Sequence, residues 1–413
     1  MRYLYTLGIL CYGLAIKIAS LFNIKAKQWT TGRKGIYNSI AEKLSDNQSP
    51  IAWFHSSSLG EFEQCRPVID TFKEKYPDYK IFVTFFSPSG YEVRKNYPKA
   101  DYVFYLPLDT MANAKKFIDI VNPKIAFFVK YDFWFNYMNV LRQRAIPTIL
   151  FSSIFRPNQY FFKWYGTWFC RQLNAFSHIF VQNEESKQLL GSRGLCRCSV
   201  AGDTRFDQVV RIAAMVKRFE KVEAFVGDSR VILGGSTWES DERLLKNFMD
   251  GCTASDVKLV LAPHEIHATH IAYIVKLFGN TCVKYSEIDS VDDLGGKKVL
   301  IIDNIGMLSS LYQYAYVAYI GGGFGKGIHN ILEALAFGKP VCFGLRYEKF
   351  KEAKDIVAMH GGVSISDDDT LKVALSEWLD SPENYMQAAQ VCRKYVERNK
   401  GTSDKIMNVL TNL

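Results

Sequence analysis

The chain is built on short apolar runs, each followed by Gly, Ser, Pro or Asp and then by an amphipathic stretch. Ile51–His55, Lys80–Thr84, Tyr102–Leu106, Ile125–Val129, Thr148–Phe151 and His178–Val181 form a first series. Arg230–Leu233, Lys258–Leu261, Lys298–Ile302, Val317–Ile320 and Pro340–Phe343 form a second. Runs of this length without polar alternation read as strands buried on both faces, and helices between them predict parallel sheets. The expected fold class is α/β: two Rossmann-like domains facing a central cleft, preceded by an N-terminal membrane-anchor helix. The expected boundaries are 1–24 for the anchor, 25–180 for the first domain and 181–413 for the second. The last helix is free to pack back on the first domain.

The N-terminal pattern differs from the rest. Residues 3–22 are apolar except for Thr6, Lys17 and Ser20, and Lys25, Lys27, Arg33 and Lys34 follow with no acid before Glu42. Twenty residues just reach across a bilayer, but Lys17 makes a full span costly. The expectation is an uncleaved anchor or an interfacial helix. The trailing cations would keep the body on the cytoplasmic side. A cleavable signal peptide lacks a small-x-small site here. A helix packed into a soluble domain is the alternative.

Length and charge refine this picture. A chain of 413 residues suits two domains. The net charge of +9 fits a phosphorylated substrate or an anionic membrane surface, and no arginine-rich run or nucleic-acid motif points to DNA or RNA. Nine scattered cysteines, with Cys196 and Cys198 too close for a Cys-x-x-Cys site, read as reduced thiols.

The densest chemistry lies at Gly321–Glu333, after a predicted strand. Five glycines occur in the seven residues 321–327. A glycine loop between strand and helix lets backbone amides approach a phosphate. Gly323, Gly325 and Gly327 are the candidate phosphate-binding positions. Asn330 and Glu333, three apart, are expected on one helix face, where the carboxylate suits a ribose diol. The dinucleotide fingerprint is excluded, because Lys326 breaks its spacing and the next predicted strand ends without an acid. Ser236 and Thr237 close another predicted strand and suit an anion, though a plain N-cap accounts for them equally.

In the first half, Ser58, Gly60 and Glu61 lie where a strand enters a helix. Glu61 is a candidate general base, and a first-turn acid favoured by the helix dipole is the bland alternative. His264, His267 and His270 miss the H-E-x-x-H spacing of a zinc helix, so a phosphate contact by His264 is the better functional reading. Asp367–Asp369 precede a helix, where capping explains them without a metal. The aromatic segment 161–169 reads as core or as a membrane-facing surface.

Jointly these segments resemble the 3-deoxy-D-manno-octulosonic acid (Kdo) transferases, membrane-associated glycosyltransferases of the two-domain GT-B type. His55, Ser58, Gly60 and Glu61 match the family's His-x-x-Ser-x-Gly-Glu, which carries the proposed base. Ser87-Pro88-Ser89-Gly90 is similar to its Thr-Pro-Thr-Gly loop, and Gly202–Asp207 to its Gly-Asn-x-Lys-Phe-Asp. Gly235-Ser236-Thr237 resembles its Ala-Ser-Thr, and Gly327–Glu333 its Gly-Gly-His-Asn-x-Leu-Glu. Two positions depart: Lys130 stands where the family has its first Glu, leaving Asp132 as a second carboxylate, and His264 stands where it has Arg.

The resemblance implies transfer of Kdo from CMP-Kdo to a phosphorylated lipid A precursor at the cytoplasmic leaflet of the inner membrane. It implies no cofactor and no metal. Glu61 would be the base, and Ser236, Thr237, His264, Gly323, Gly325, Gly327, Asn330 and Glu333 would hold the donor. Ser58, Gly60, Ser87 and Ser89 would meet the acceptor. A GT-B lipid glycosyltransferase using a nucleoside-diphosphate sugar, or a non-catalytic nucleotide-binding protein, are the alternatives.

Overall fold

The computed structural model describes residues 1–411. The chain divides into two compact units, Met1–Gln208 with Lys400–Leu413, and Val209–Asn399. Each is built on a parallel seven-stranded sheet.

The first sheet comprises β1 (Ile51–Ser56), β2 (Lys80–Phe85), β3 (Tyr102–Tyr105), β4 (Ile125–Val129), β5 (Thr148–Ser153), β6 (His178–Val181) and β7 (Cys198–Val200), in the order β3-β2-β1-β4-β5-β6-β7. The order reverses between β1 and β4, where Phe54 pairs with Phe127 and their rings stack at 4.4 Å. All of β1 is buried, its apolar Ile51–Phe54 as expected of a central strand and His55 and Ser56 with them. Core side chains lie on both faces: Trp53, Phe82, Phe117 and Phe128 in one cluster, Phe54, Phe62, Phe72 and Phe127 in another.

The second sheet comprises β8 (Arg230–Thr237), β9 (Val257–Pro263), β10 (Cys282–Lys284), β11 (Val299–Ile301), β12 (Val317–Ile320), β13 (Val341–Gly344) and β14 (Gly362–Ile365). Its order is β10-β11-β9-β8-β12-β13-β14, with the reversal between β8 and β12. The apolar pattern misses β7, β10 and β14. The first ends one sheet and the other two end the second, and all three are three or four residues long. His178–Val181, expected to be the last strand of its half, is followed by β7 in the same sheet.

The N-terminal segment forms helix Arg2–Ala19, then breaks and bends by 120° into helix Ile24–Thr31. Among the described residues no single helix is long and apolar enough to cross a membrane; the bent pair passes by length and composition only. One stripe of the first helix docks on the unit. Tyr5 stacks edge-on against Phe135 at 5.0 Å, and its hydroxyl donates to Asp109 Oδ2 at 2.6 Å. Gly13 is buried where a Cβ would lie 2.8 Å from Leu108 Cδ2. The opposite side leaves Tyr3, Leu4, Leu7, Leu14 and Ile18 exposed.

The last helix, Thr402–Leu410, packs Ile406 and Met407 into the first unit's core. Asp207, the final residue of the Gly202–Asp207 motif, accepts hydrogen bonds from the amides of Gly401 (2.6 Å), Thr402 (3.3 Å) and Ser403 (2.6 Å). A carboxylate at a helix N-terminus satisfies amides that the helix itself leaves unpaired. Asp207→Ala is expected to cost about 1–3 kcal/mol. Urea unfolding monitors this, and an unchanged profile would mean the helix docks without it.

Burial pushes the Asp109 carboxyl up to about 6, against the pull of the Tyr5 hydroxyl and the amides of Asn136 and Tyr137. The folded state therefore binds this proton more tightly than the unfolded chain. The contribution is complete below the ordinary carboxylate range and disappears as pH rises through about 6. Wild-type stability should fall relative to Asp109→Asn between pH 4 and about 6.5, and parallel curves in urea melts would refute this.

Candidate functional site

In open parallel sheets, loops part where strand order reverses, and ligands bind at the carboxyl ends there. Both reversals carry the residues singled out in the sequence.

At the first, β1 delivers Ser57 to Glu61 and β4 delivers Lys130 to Asp132. Ser58 is the N-cap of helix Leu59–Lys75, but its hydroxyl donates to Glu61 Oε2 at 2.7 Å instead of acting as the cap. Gly60 is exposed in the same turn. Asp132 is buried. It accepts from the Ser57 amide at 3.0 Å and from the Ser57 hydroxyl. Burial, and secondarily the charge of Glu61, push its carboxyl well above the usual range; Ser57 and Lys130 pull it back. Lys130 itself has φ +54, a left-handed conformation rare for a side-chain-bearing residue. Two neighbouring carboxyls, one held protonated more readily than usual, are a means of separating acid from base.

His55 is fully buried behind this pair. Trp134 Nε1–H donates to His55 Nε2 at 2.7 Å, so that nitrogen is unprotonated and Nδ1 carries the hydrogen toward Thr84 Oγ1 at 2.8 Å. Burial holds its pKa down at about 3, so the ring is neutral and structural. Ser87 caps helix Pro88–Arg94, its hydroxyl 3.0 Å from that of Ser89, and its amide donates to the Ser57 carbonyl at 2.7 Å. The two serine loops are therefore tied together.

At the second reversal, β8 ends in Ser236 and Thr237 and β12 runs into Gly321. The backbones approach closely. A Cβ on Gly321 would overlap the Ser236 carbonyl, and one on Gly323 would lie 2.5 Å from the Gly344 backbone. Buried Asp241 binds the Gly322 amide (3.0 Å), the Trp238 amide (2.9 Å) and the Tyr319 hydroxyl (2.8 Å). Burial raises its carboxyl, and these bonds oppose the rise. Neighbouring Glu242, also buried, accepts from Thr237 Oγ1 (3.0 Å) and lies 3.0 Å from His270 Nε2.

These contacts revise several expectations. Thr237 is buried with its hydroxyl engaged by Glu242, which leaves Ser236, at φ +53, as the half-exposed hydroxyl. The N-cap of the following helix is Trp238, not Ser236 or Thr237. The amides of Gly325 and Gly327 both donate to the Gly322 carbonyl, and that of His329 to Gly321. Among the described residues, no backbone partner takes the amides of Gly323, Phe324 and Lys326. The helix after the loop is only Leu332–Ala336, so Asn330 precedes it. Asn330 still meets Glu333, donating from Nδ2 to Oε1 at 3.1 Å.

His264 is exposed and stacks between two rings, Trp238 at 4.7 Å and His329 at 4.4 Å. Trp238 Nε1 also donates to His329 Nε2 at 3.3 Å. Burial, with His264 beside it, holds His329 down at about 4. Of the three spaced histidines only His264 lies in this stack; His270 is buried against Glu242 and His267 is exposed. Asp367 caps its helix by accepting the Thr370 amide at 2.9 Å.

Residues 30–208 match the family model "3-Deoxy-D-manno-octulosonic-acid transferase (kdotransferase)". Over 409 residues the chain is 24% identical to the 3-deoxy-D-manno-octulosonic acid transferase of Rickettsia felis, covering 92% of this chain and 86% of that protein. The chain is a relative of the Kdo transferases, and an enzyme of the glycosyltransferase class. The Kdo transferase of Haemophilus influenzae is 23% identical over 99% of this chain and 98% of its own length. Among solved structures, UDP-GlcNAc 2-epimerase from Neisseria meningitidis superposes with a TM-score of 0.63 at 17% identity, covering 88% of this chain and all of that one. That likeness shows the fold, which is of the GT-B type.

Packing of the glycine loop predicts a contrast. Gly321→Ala and Gly323→Ala each force backbone atoms apart and should cost about 1–3 kcal/mol. A Cβ on Gly325 would sit 3.6 Å from its nearest neighbour, an ordinary contact. Gly325→Ala should therefore melt like wild type; equal melting of all three variants would refute the close approach.

Proposed function

We propose that the protein transfers Kdo from CMP-Kdo to a phosphorylated lipid A precursor in a single inverting step. The observation that carries the chemistry is the Glu61–Asp132 pair at the β1/β4 reversal, within the segment related to Kdo transferases. Glu61 removes the proton from an acceptor hydroxyl. The hydroxyl oxygen forms the new bond to the anomeric carbon as the bond to the CMP phosphate oxygen breaks. Asp132, buried and bonded to Ser57, positions the loop and modulates the field at Glu61. Ser58 orients Glu61, and Gly60, Ser87 and Ser89 leave room for and contact the acceptor sugar.

The second unit holds the donor. The unengaged amides of the Gly321–Gly327 loop, with Ser236 and His264, stabilise the leaving phosphate as charge develops. Glu333, steadied by Asn330, takes the ribose hydroxyls. Asp241 acts through the loop by fixing the Gly322 amide.

In this reading the protein sits on the cytoplasmic leaflet of the inner membrane, and the exposed apolar side of helix Arg2–Ala19 supports it. That side lies beside six cations, Arg2, Lys17, Lys25, Lys27, Arg33 and Lys34, with no acid before Glu42. Exposed Trp164 and Tyr165 suit the same interface.

Mass spectrometry of a lipid A precursor incubated with CMP-Kdo and protein tests the transfer directly. Glu61→Gln should lower kcat by about 10²–10⁴-fold, the range for loss of a general base, while CMP-Kdo binding by calorimetry persists. Wild-type turnover in this variant would remove Glu61 from the mechanism.

A further inference from the structure

A cavity of about 700 Å³ lies in the first unit between helix Arg2–Ala19, helix Ile24–Thr31 and the Pro107–Leu108 loop. Its size falls in the range of small-molecule pockets, roughly 300–1,000 Å³. Its walls are of two kinds. Leu10, Leu14, Ile36 and Leu108 make one apolar, while Lys17 and Lys34 stand at the other.

Three further polar groups in the lining have unmet needs. The Arg33 guanidinium donates to the carbonyls of Phe86 (2.7 Å), Leu106 (2.8 Å) and Trp29 (3.0 Å). It sits 3.9 Å over the Trp29 ring and 4.7 Å over that of Tyr105. The carbonyls use three of its five N–H donors, and neither they nor the rings supply a counter-charge. Among the described residues no carboxylate pairs with it. Trp29 is 7% exposed, and its Nε1–H is buried without an acceptor; so is the Tyr37 hydroxyl. Unpaired buried donors are costly, and a cation without a counter-charge is costlier. The lining thus supplies hydrocarbon and positive charge and holds no carboxylate.

Through Arg33 the cavity is linked to the candidate catalytic loops. Phe86, whose carbonyl Arg33 holds, stacks at 4.4 Å on Trp134, the residue that bonds His55. The next residue, Ser87, is tied by its amide to Ser57, which holds Asp132.

We propose that this groove holds one acyl chain of the phosphorylated glycolipid acceptor, with the lipid's phosphate on Lys17 and Lys34. The proposal rests on the Kdo-transfer reading and adds a subsite to it. The hydrocarbon chain lies against Leu10, Leu14 and Leu108. The acceptor's negative charge is drawn to Arg33 as well. Chain binding then contributes to acceptor KM and leaves donor binding untouched.

The test compares a phosphorylated, acylated disaccharide with its fully deacylated counterpart, both in detergent with CMP-Kdo. Thr30 lines the groove, and Thr30→Phe fills it. This variant should raise KM at least tenfold for the acylated acceptor. Its kcat, its KM for CMP-Kdo, its thermal midpoint and its turnover of the deacylated acceptor should match wild type. Lys17→Glu combined with Lys34→Glu should raise KM for both acceptors. Equal effects of Thr30→Phe on the two acceptors, or none on either, would overturn the proposal. So would loss of vesicle binding with an unchanged KM for the acylated acceptor, since the groove would then serve bilayer lipid.

A second readout does not depend on turnover. The phosphorylated, acylated disaccharide brominated along one acyl chain should quench wild-type tryptophan fluorescence, and Trp29→Phe should remove at least half of that quenching. Quenching by a chain that is indifferent to Trp29→Phe overturns the groove. If Trp29-dependent quenching occurs but wild type transfers no Kdo to any acceptor, the groove stands and the transfer reading falls.

Discussion

Everything functional in this protein depends on the reversal of strand order, once between β1 and β4 and once between β8 and β12. A parallel sheet sends every loop at one edge in the same direction, and only at the reversal do two adjacent loops diverge to opposite faces. Glu61 and Asp132 are 71 positions apart in sequence, yet they meet because β1 and β4 are neighbours across that point. Ser236 and Gly321 meet at the second for the same reason. The reversal supplies proximity, and the residues themselves supply chemistry.

Proximity alone would leave loose loops. The protein fixes them with buried acids that accept backbone amides. Asp132 takes the Ser57 amide, Asp241 those of Gly322 and Trp238, Asp109 those of Asn136 and Tyr137, and Asp207 those at the start of the last helix. Burying a carboxylate carries a desolvation penalty that is offset only by good geometry. The distances of 2.6–3.3 Å at Asp109, Asp207 and Asp241 meet that requirement. The upward shifts at Asp109 and Asp132 are the residue of that penalty, and at Asp132 the like charge of Glu61 adds to it.

Much of this was legible in the sequence. The central strands are apolar on both faces, so runs such as Ile125–Val129 announce themselves, and the glycine loop is visible from composition. The edge strands β7, β10 and β14 were not legible: with neighbours on one side only, they are short and mix Cys, Lys or Ser with apolar residues. The positions of Glu61 and Asn330 beside their partners follow from short-range spacing. Asp241 and Glu242 were missed, because two acids in a first helical turn look like dipole complements whether they point to water or, as here, inward. Nor could spacing reveal that the Gly325 and Gly327 amides turn back on Gly322, since that fold of the loop is set by Gly344 at the end of β13 and by Asp241 in the helix after β8.

The N-terminal helix is part of the first unit's packing. It is not a tether on a slack linker, because Tyr5, Gly13 and the Tyr12–Phe86 stack seat it against the sheet's own loops. A body held so firmly to its keel has a fixed attitude toward whatever surface the keel enters. Cutting the helix away would therefore strip the cover from Asp109, Phe86 and Phe135 and leave a wet, apolar scar on the remaining domain.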